Sequence, residues 1–276
     1  MDYLEIKAPA KINFGLYITS KREDGYHNLE TIFYPIYDLY DEMFFMPSDN
    51  FILTTDNEDL NNEDNLIIKA KDLLEDLTGK KINVKIDLKK NIPMGAGMGG
   101  GSSDAATTLI SLNEMFDLKV DNPTLLRLAL KLGSDVPFFI KPKPSFAQSR
   151  GEELSLIDFH ISLPILIVNP GIHVSTKSAY QNIKPHKSEF NLRNLEHFDL
   201  TQSADLIKNV RNDFEDFVFT SFPQVKSIKD EMYKMGAIFS LMTGSGSTVF
   251  GIFKDLDAAE KARRCLPEEY FTFISY

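Results

Sequence analysis

The sequence predicts an α+β fold. Strand-length stretches of period two lie among helical repeats, the alternation lacks the regular βαβ spacing of a doubly wound sheet, and no internal repeat imposes a solenoid. From Lys11 to Thr19, the residues Ile12, Phe14, Leu16 and Ile18 alternate with Lys11, Asn13, Gly15 and Tyr17. That is the pattern of a half-buried strand, and it puts Lys11 and Asn13 on one face. Ser20-Lys21-Arg22-Glu23-Asp24-Gly25 is a polar, glycine-closed turn delivering Tyr26-His27 before the apolar run resumes at Leu29. Leu66, Ile67, Ala70, Leu73, Leu74 and Leu77 recur at helical spacing, with Asp64 or Asn65 to cap the start and Gly79 to stop it. Ile82, Val84, Ile86 and Leu88 form a strand entering a glycine-rich loop, after which Ala105, Leu109, Leu112 and Phe116 mark a helix. Another helix has Asn122 as cap, Pro123 at its first position, Leu125, Leu126, Leu128, Ala129 and Leu132 inside, and Gly133 at its end. Its exit is Gly133-Ser134-Asp135-Val136-Pro137.

A Pro/Lys stretch, Lys141-Pro142-Lys143-Pro144, and a polar hairpin around Ser149-Arg150-Gly151-Glu152 lead to an apolar strand at Leu163 to Val168. Helices follow around 202 to 219 and 223 to 235, then two strands flanking Thr243-Gly244-Ser245-Gly246-Ser247, a helix near 255 to 265 and a last strand at Tyr270 to Ser275. A boundary between 155 and 162 divides the chain into expected domains of 1–157 and 158–276.

Composition is that of a globular chain, 43% hydrophobic and 25% charged, and 276 residues suffice to bury a full core. The net charge of −10 argues against broad adhesion to nucleic acid or anionic membrane. Met1-Asp2-Tyr3-Leu4-Glu5-Ile6-Lys7 lacks the basic start and apolar core of a signal peptide, and the longest apolar runs are strand-length, so a cytoplasmic protein is expected. Cys265 follows Ala258, Ala259 and Ala262 on a helical pattern; it has no internal disulfide partner and is expected as a packed thiol. His160, His173, His186 and His197 show no metal-binding spacing.

The informative stretch is Pro93-Met94-Gly95-Ala96-Gly97-Met98-Gly99-Gly100-Gly101-Ser102-Ser103, with five glycines in the seven positions from Gly95 to Gly101. A bare backbone between strand and helix can converge its N–H groups on an anion, and Ser102 and Ser103 can open a helix whose N-terminus faces it. The P-loop pattern fails because no Gly-Lys pair occurs in the loop, and Gly95 to Gly100 matches G-x-G-x-x-G without the acidic strand end about twenty residues on. A membrane G-x-x-x-G reading lacks its apolar twenty-mer. A simple connector gives no reason to bear the entropy of five glycines, whereas a phosphate ligand does.

This loop resembles the ATP loop of the GHMP kinase superfamily, as Ala8-Pro9-Ala10-Lys11-Ile12-Asn13 and Met242-Thr243-Gly244-Ser245-Gly246-Ser247 resemble the superfamily's N-terminal strand and C-terminal glycine loop. The resemblance implies a two-domain fold, an N-terminal ribosomal protein S5 domain 2-like half and a C-terminal ferredoxin-like α/β sandwich. Arg22-Glu23-Asp24-Gly25-Tyr26-His27 and Gly133-Ser134-Asp135-Val136-Pro137-Phe138-Phe139 resemble the branch that phosphorylates a cytidine-diphosphate-linked methylerythritol in isoprenoid precursor synthesis, with Met98 where leucine is usual and Ser134 where alanine is frequent. The resemblance implies ATP held by Pro93 to Ser103, Mg²⁺ touching Ser103, Asp135 as general base with Lys11 opposite, and a substrate site of Asn13, Tyr26, His27, Thr176, Tyr180 and Gly246. It further implies a monomer or weak homodimer with a small-molecule substrate and no nucleic acid. Two readings compete: another kinase of the superfamily, of homoserine or mevalonate type, and a non-catalytic nucleotide- or RNA-binding relative of the fold.

Overall fold

A computed structural model describes residues 3–57, 60, 62–186, 188, 190–196 and 203–276. Contacts in space group the chain into two compact units, each drawn from three separate segments: Met1–Ala10, Ile36–Met94 and Gly99–Pro142 in the first, Lys11–Pro35, Gly95–Met98 and Lys143–Tyr276 in the second. Two long strands, β1 (Leu4–Lys21) and β2 (His27–Pro47), each contribute residues to both.

In the first unit, β3 (Ile52–Thr55) lies parallel to β4 (Val84–Lys89), and β4 lies antiparallel to the end of β2, with Glu42 opposite Lys89 and Pro47 opposite Val84. Val84, Ile86 and Leu88 face the core as their alternation predicts. Helix α1 (Leu66–Thr78) is capped by Asn65, whose side chain accepts the Ile67 N–H, and ends at Gly79 with φ 68°. Helix α2 (Gly100–Met115) buries Ala105, Leu109 and Leu112. It begins earlier than expected: Gly99, at φ 75°, is the cap, so Ser103 sits in the first turn and its N–H donates to the Gly99 carbonyl. Helix α3 (Asn122–Leu132) is capped by Asp121 and not by Asn122, because the Asp121 carboxylate accepts the Thr124 N–H at 3.0 Å. A short helix α4 (Val136–Ile140), which the sequence pattern left as an exit loop, buries Val136, Pro137, Phe138 and Phe139, and it packs against α2 and α3.

In the second unit, the start of β2 pairs antiparallel with β5 (Ser145–Gln148), and β5 forms a hairpin with β6 (Glu153–Leu156). A separate antiparallel sheet contains β7 (Ile165–Asn169), β8 (Phe239–Met242), β9 (Val249–Ile252) and β10 (Phe271–Ser275), in the spatial order β10-β7-β9-β8. The intervening helices are α5 (Thr176–Gln181), α6 (Ser203–Asn209), α7 (Glu215–Ser221), α8 (Pro223–Lys234) and α9 (Leu256–Arg264). Helices between the first and second strands and between the third and fourth, with the order fourth-first-third-second, make this the expected ferredoxin-like sandwich. Leu16, Ile18, Leu166, Val168, Val225, Ile228 and Ala259 meet in its core.

Three expectations are corrected here. The strand through Lys11 is buried on both faces from Ala10 to Ile18, so Lys11 and Asn13 are core residues and not the wet side of a half-buried strand. The helix expected over 202 to 219, whose first residue lies outside the described residues, is two helices, because the Asn212 and Asp213 side chains bond backbone groups far along the chain, at Met242 and Ile18. Cys265 is exposed: α9 stops at Arg264, and Leu266 takes the buried position. Among the described residues no helix is long and apolar enough to cross a membrane.

Candidate active site

In the second unit Lys11 is 3% exposed, and its ammonium donates to Asn13 Oδ1 at 2.6 Å and to the Gly97 carbonyl at 3.1 Å, above the Phe33 ring. A buried ammonium is tolerable only when oxygens replace its water, and these two contribute to that. Asn13 is fixed in turn. Its N–H donates to Thr243 Oγ1 at 2.8 Å and its amide donates to Thr31 Oγ1 at 3.0 Å. The Lys11 N–H also bonds the Met98 carbonyl, at 3.0 Å.

The first glycine loop therefore meets the C-terminal one. A Cβ on Gly97 would collide with the Thr243 carbonyl oxygen and approach Gly246 N to 3.3 Å, and one on Gly244 would lie 2.7 Å from the Gly97 carbonyl. Two backbones touch with no side chain between them. The glycines are thus not all kept for a ligand, as the sequence suggested: Gly97 permits loop-on-loop contact, and Gly95, at φ 62°, leaves room for the His173 ring, 2.7 Å from where its Cβ would stand. Gly101 is the exception, exposed and with nothing within 4 Å of an added Cβ. Ala96 and Met98 turn their side chains into the core.

The C-terminal loop is held from behind. Asn212 donates to the Met242 and Gly244 carbonyls, both at 2.8 Å, Asp213 accepts the Ile18 N–H at 2.7 Å, and Glu215 accepts the Met242 N–H at 3.0 Å while paired with Lys229. Burial raises the Glu215 carboxyl above its ordinary value, with Lys229 opposing. Sequence reading missed these residues, although the polar run Arg211-Asn212-Asp213 inside an otherwise helical pattern was the available signal. It also missed His173, for which no signal existed.

His27 is buried and stacks on Tyr180 with centroids 5.2 Å apart and planes at 24°, while Tyr180 meets Phe214 edge-on at 4.9 Å. Tyr26 is 52% exposed, with the Arg150 guanidinium 4.1 Å over its ring. Burial, helped by the charge of Lys21, lowers the His27 pKa. Thr176 Oγ1 lies 3.0 Å from Ser245 Oγ, and Gly246 has φ 89°. The second unit thus brings together Lys11, Asn13, Gly97, Thr176 and Gly246 through the C-terminal loop, and His27 with Tyr180. His197 lies outside the described residues.

In the first unit, Asp135 is half-buried immediately before α4 with φ −83° and ψ −19°, and its carboxylate does not cap that helix. Four buried residues after it anchor the position. At the start of α2, the Ser103 hydroxyl is fully buried and makes no hydrogen bond to any of the described residues. Among the described residues no group of three or more His, Cys, Asp or Glu is placed to hold a metal ion. Beside Ser103, burial raises the Asp104 carboxyl above its ordinary value, against the pull of Lys90.

The GHMP kinases N terminal domain matches residues 65–142 and the GHMP kinases C terminal domain matches 191–272. A solved homoserine kinase from Cytophaga hutchinsonii shares the fold at TM-score 0.70 and 15% identity, covering 100% of this chain and 95% of that one. The two family matches, one in each half of the chain, make it a GHMP kinase. At finer resolution, the 4-diphosphocytidyl-2-C-methyl-D-erythritol kinase of Prosthecochloris aestuarii is 43% identical over 98% of this chain and 96% of its own length. A crystal structure of 4-(cytidine 5'-diphospho)-2C-methyl-D-erythritol kinase superposes at TM-score 0.83 with 32% identity, covering 99% of this chain and 98% of that one. The chain belongs to the 4-diphosphocytidyl-2-C-methyl-D-erythritol kinase family.

Proposed function

We propose that the chain transfers the γ-phosphoryl group of ATP to the 2-hydroxyl of 4-diphosphocytidyl-2-C-methyl-D-erythritol, a step of non-mevalonate isoprenoid precursor synthesis. The 43% identity to the Prosthecochloris aestuarii kinase over nearly the whole chain carries this reading. Phosphoryl transfer needs positioning and charge stabilisation more than covalent chemistry, and the residues divide accordingly.

The loop from Pro93 to Ser103 holds the ATP phosphates. Gly100, Gly101 and Ser102 precede the first intrahelical bond of α2, which the Ser103 N–H makes, so their N–H groups and the positive end of a 16-residue helix suit a polyanion. Mg²⁺, which takes few protein oxygens, would use the orphaned Ser103 hydroxyl and screen phosphate charge. Asp135 removes the proton from the attacking hydroxyl as general base. Lys11, already fixed by Asn13 and Gly97, offsets negative charge that builds on the transferred group. Asn13, Thr176 and Gly246 line the methylerythritol end, Tyr26 and Tyr180 offer faces to the cytosine, and His27 hydrogen-bonds its edge.

The proposed domains, 1–157 and 158–276, are supported by the two family matches falling one on each side of the division. Action in the cytoplasm, as a monomer or weak homodimer and without nucleic acid, completes the proposal; the net charge of −10 supports the last part. The test is to incubate purified protein with ATP, Mg²⁺ and, separately, the cytidine substrate, homoserine and mevalonate. The expected result is ADP release and a new 2-phosphate, seen by phosphorus NMR, with the first alone. Turnover restricted to either of the others would overturn the assignment.

His27 yields a pH prediction. A histidine whose pKa is lowered stays neutral further into acid, so the KM for the cytidine substrate is expected to be flat down to about pH 6.5 and to rise only below it. His27→Gln removes the acid limb. A limb centred above the ordinary histidine value in the wild type would contradict the assignment of His27.

A further inference from the structure

Beneath the start of α2 lies a cluster of three charged side chains outside the catalytic set. Asp41 sits on the inward face of β2 between Leu39 and Met43, where the alternation calls for an apolar residue. The side chains of Asp41, Lys90 and Asp104 are 0%, 9% and 5% exposed. Lys90 Nζ donates to Asp41 Oδ2 and, at 2.8 Å, to Asp104 Oδ2. Asp41 Oδ1 accepts the N–H groups of Asn91 at 2.7 Å and Ile92 at 2.8 Å.

These bonds join two pieces of chain that bracket the glycine loop. Lys90, Asn91 and Ile92 are the last residues before Pro93, and Asp104 follows Ser103 directly. The helix start rests on the same group, since a Cβ on Gly100 would lie 3.3 Å from Asp41 Oδ2 and 3.2 Å from Ile92 Cγ2. Burying two carboxylates against one ammonium is a poor way to gain stability, because well-packed apolar side chains of the same volume usually do as well or better. Directional bonds fix a backbone path where apolar contacts would let it slide. The loop between them is glycine-rich and has few side chains of its own to hold it.

We propose that Asp41, Lys90 and Asp104 form a clamp that presets the glycine loop for nucleotide: they are positioning residues for ATP that do not touch it. This rests on the reading of Pro93 to Ser103 as the phosphate site. It predicts that loosening the clamp weakens ATP selectively, because the cytidine substrate is assigned to other residues.

The test compares Lys90→Met, which removes the ammonium, Lys90→Arg, which keeps the charge, and Gly101→Ala, which touches only the loop. ATP dissociation constants come from calorimetry, KM for each substrate from steady-state assays, and folding from thermal denaturation. Lys90→Met is expected to weaken ATP by at least about tenfold, the scale of one lost hydrogen bond to a charged group, with KM for the cytidine substrate little changed and Lys90→Arg recovering most of the loss. If Lys90→Met does not fold, Asp104→Asn carries the same comparison. Wild-type ATP affinity in a folded Lys90→Met, or equal loss for both substrates, overturns the clamp. Gly101→Ala separates the two ideas: weakened ATP there beside an unaffected Lys90→Met sinks the clamp alone, whereas unchanged ATP there removes the phosphate-loop reading and the clamp with it.

Discussion

Asp135→Asn is expected to lower kcat by roughly 10²- to 10⁴-fold, the range that a positioned general base contributes, while the dissociation constant for ATP stays near wild type. The substitution keeps the shape of the side chain and removes its basicity. It should also leave folding intact, because the four residues after Asp135 are buried and hold α4 in place, and the Asp135 carboxylate does not cap that helix. Single-turnover rates, ATP calorimetry and thermal denaturation together check the prediction. Unchanged turnover in a folded variant would remove Asp135 from the proton transfer. A loss of ATP affinity equal to the loss of rate would instead place it among the groups that bind nucleotide.

The second large effect concerns the contact between the two glycine loops. Gly97→Ala places a methyl group against the Thr243 carbonyl oxygen at a residue with φ 77°. The left-handed conformation alone costs about 1–2 kcal/mol for a residue with a Cβ, and overpacking typically adds about 1–3 kcal/mol. Backbone cannot rotate aside as a flexible side chain can. Both loops should therefore separate, with lower thermal stability and turnover reduced to background. Lys11 would suffer as well, since the Gly97 carbonyl accepts a hydrogen bond from its ammonium. Gly101→Ala is the counterpart. Nothing lies within 4 Å of its added methyl, and alanine is the better helix residue, so folding is expected to hold or improve while ATP binding weakens. Equal stability of Gly97→Ala and wild type would mean that the two loops do not depend on each other.

Most elements were legible because their signals are local. The caps and stops of α1, the alternation through β4 and the proline-led start of α3 are written in neighbouring residues, and in α1 Asn65, one of the two cap candidates, is the cap and Gly79 is the stop. Errors arose where a polar side chain, near or far, takes a bond that the hydrophobic pattern does not encode. Asn122 looked like a cap, but the neighbouring Asp121 carboxylate reaches the Thr124 N–H. The segment at Asn212 looked helical until its amide is seen bonding carbonyls about thirty residues away at Met242 and Gly244. Lys11 looked half-exposed because period-two alternation shows which residues share a face and not whether a second layer covers that face.

The candidate site follows the same division. By itself the sequence determined that Lys11 and Asn13 share a face, that a glycine-rich stretch of bare backbone joins a strand to a helix, and which motifs accompany it, since each depends on spacing within a few residues. Tertiary structure alone decided that Gly97 is bare for Gly244 and Thr243 as well as for any ligand, that His27 stacks on Tyr180, and that Asp41, Lys90 and Asp104 meet under the loop. Those contacts join residues tens to hundreds of positions apart, and their energy comes from burial and close approach, which no local pattern encodes.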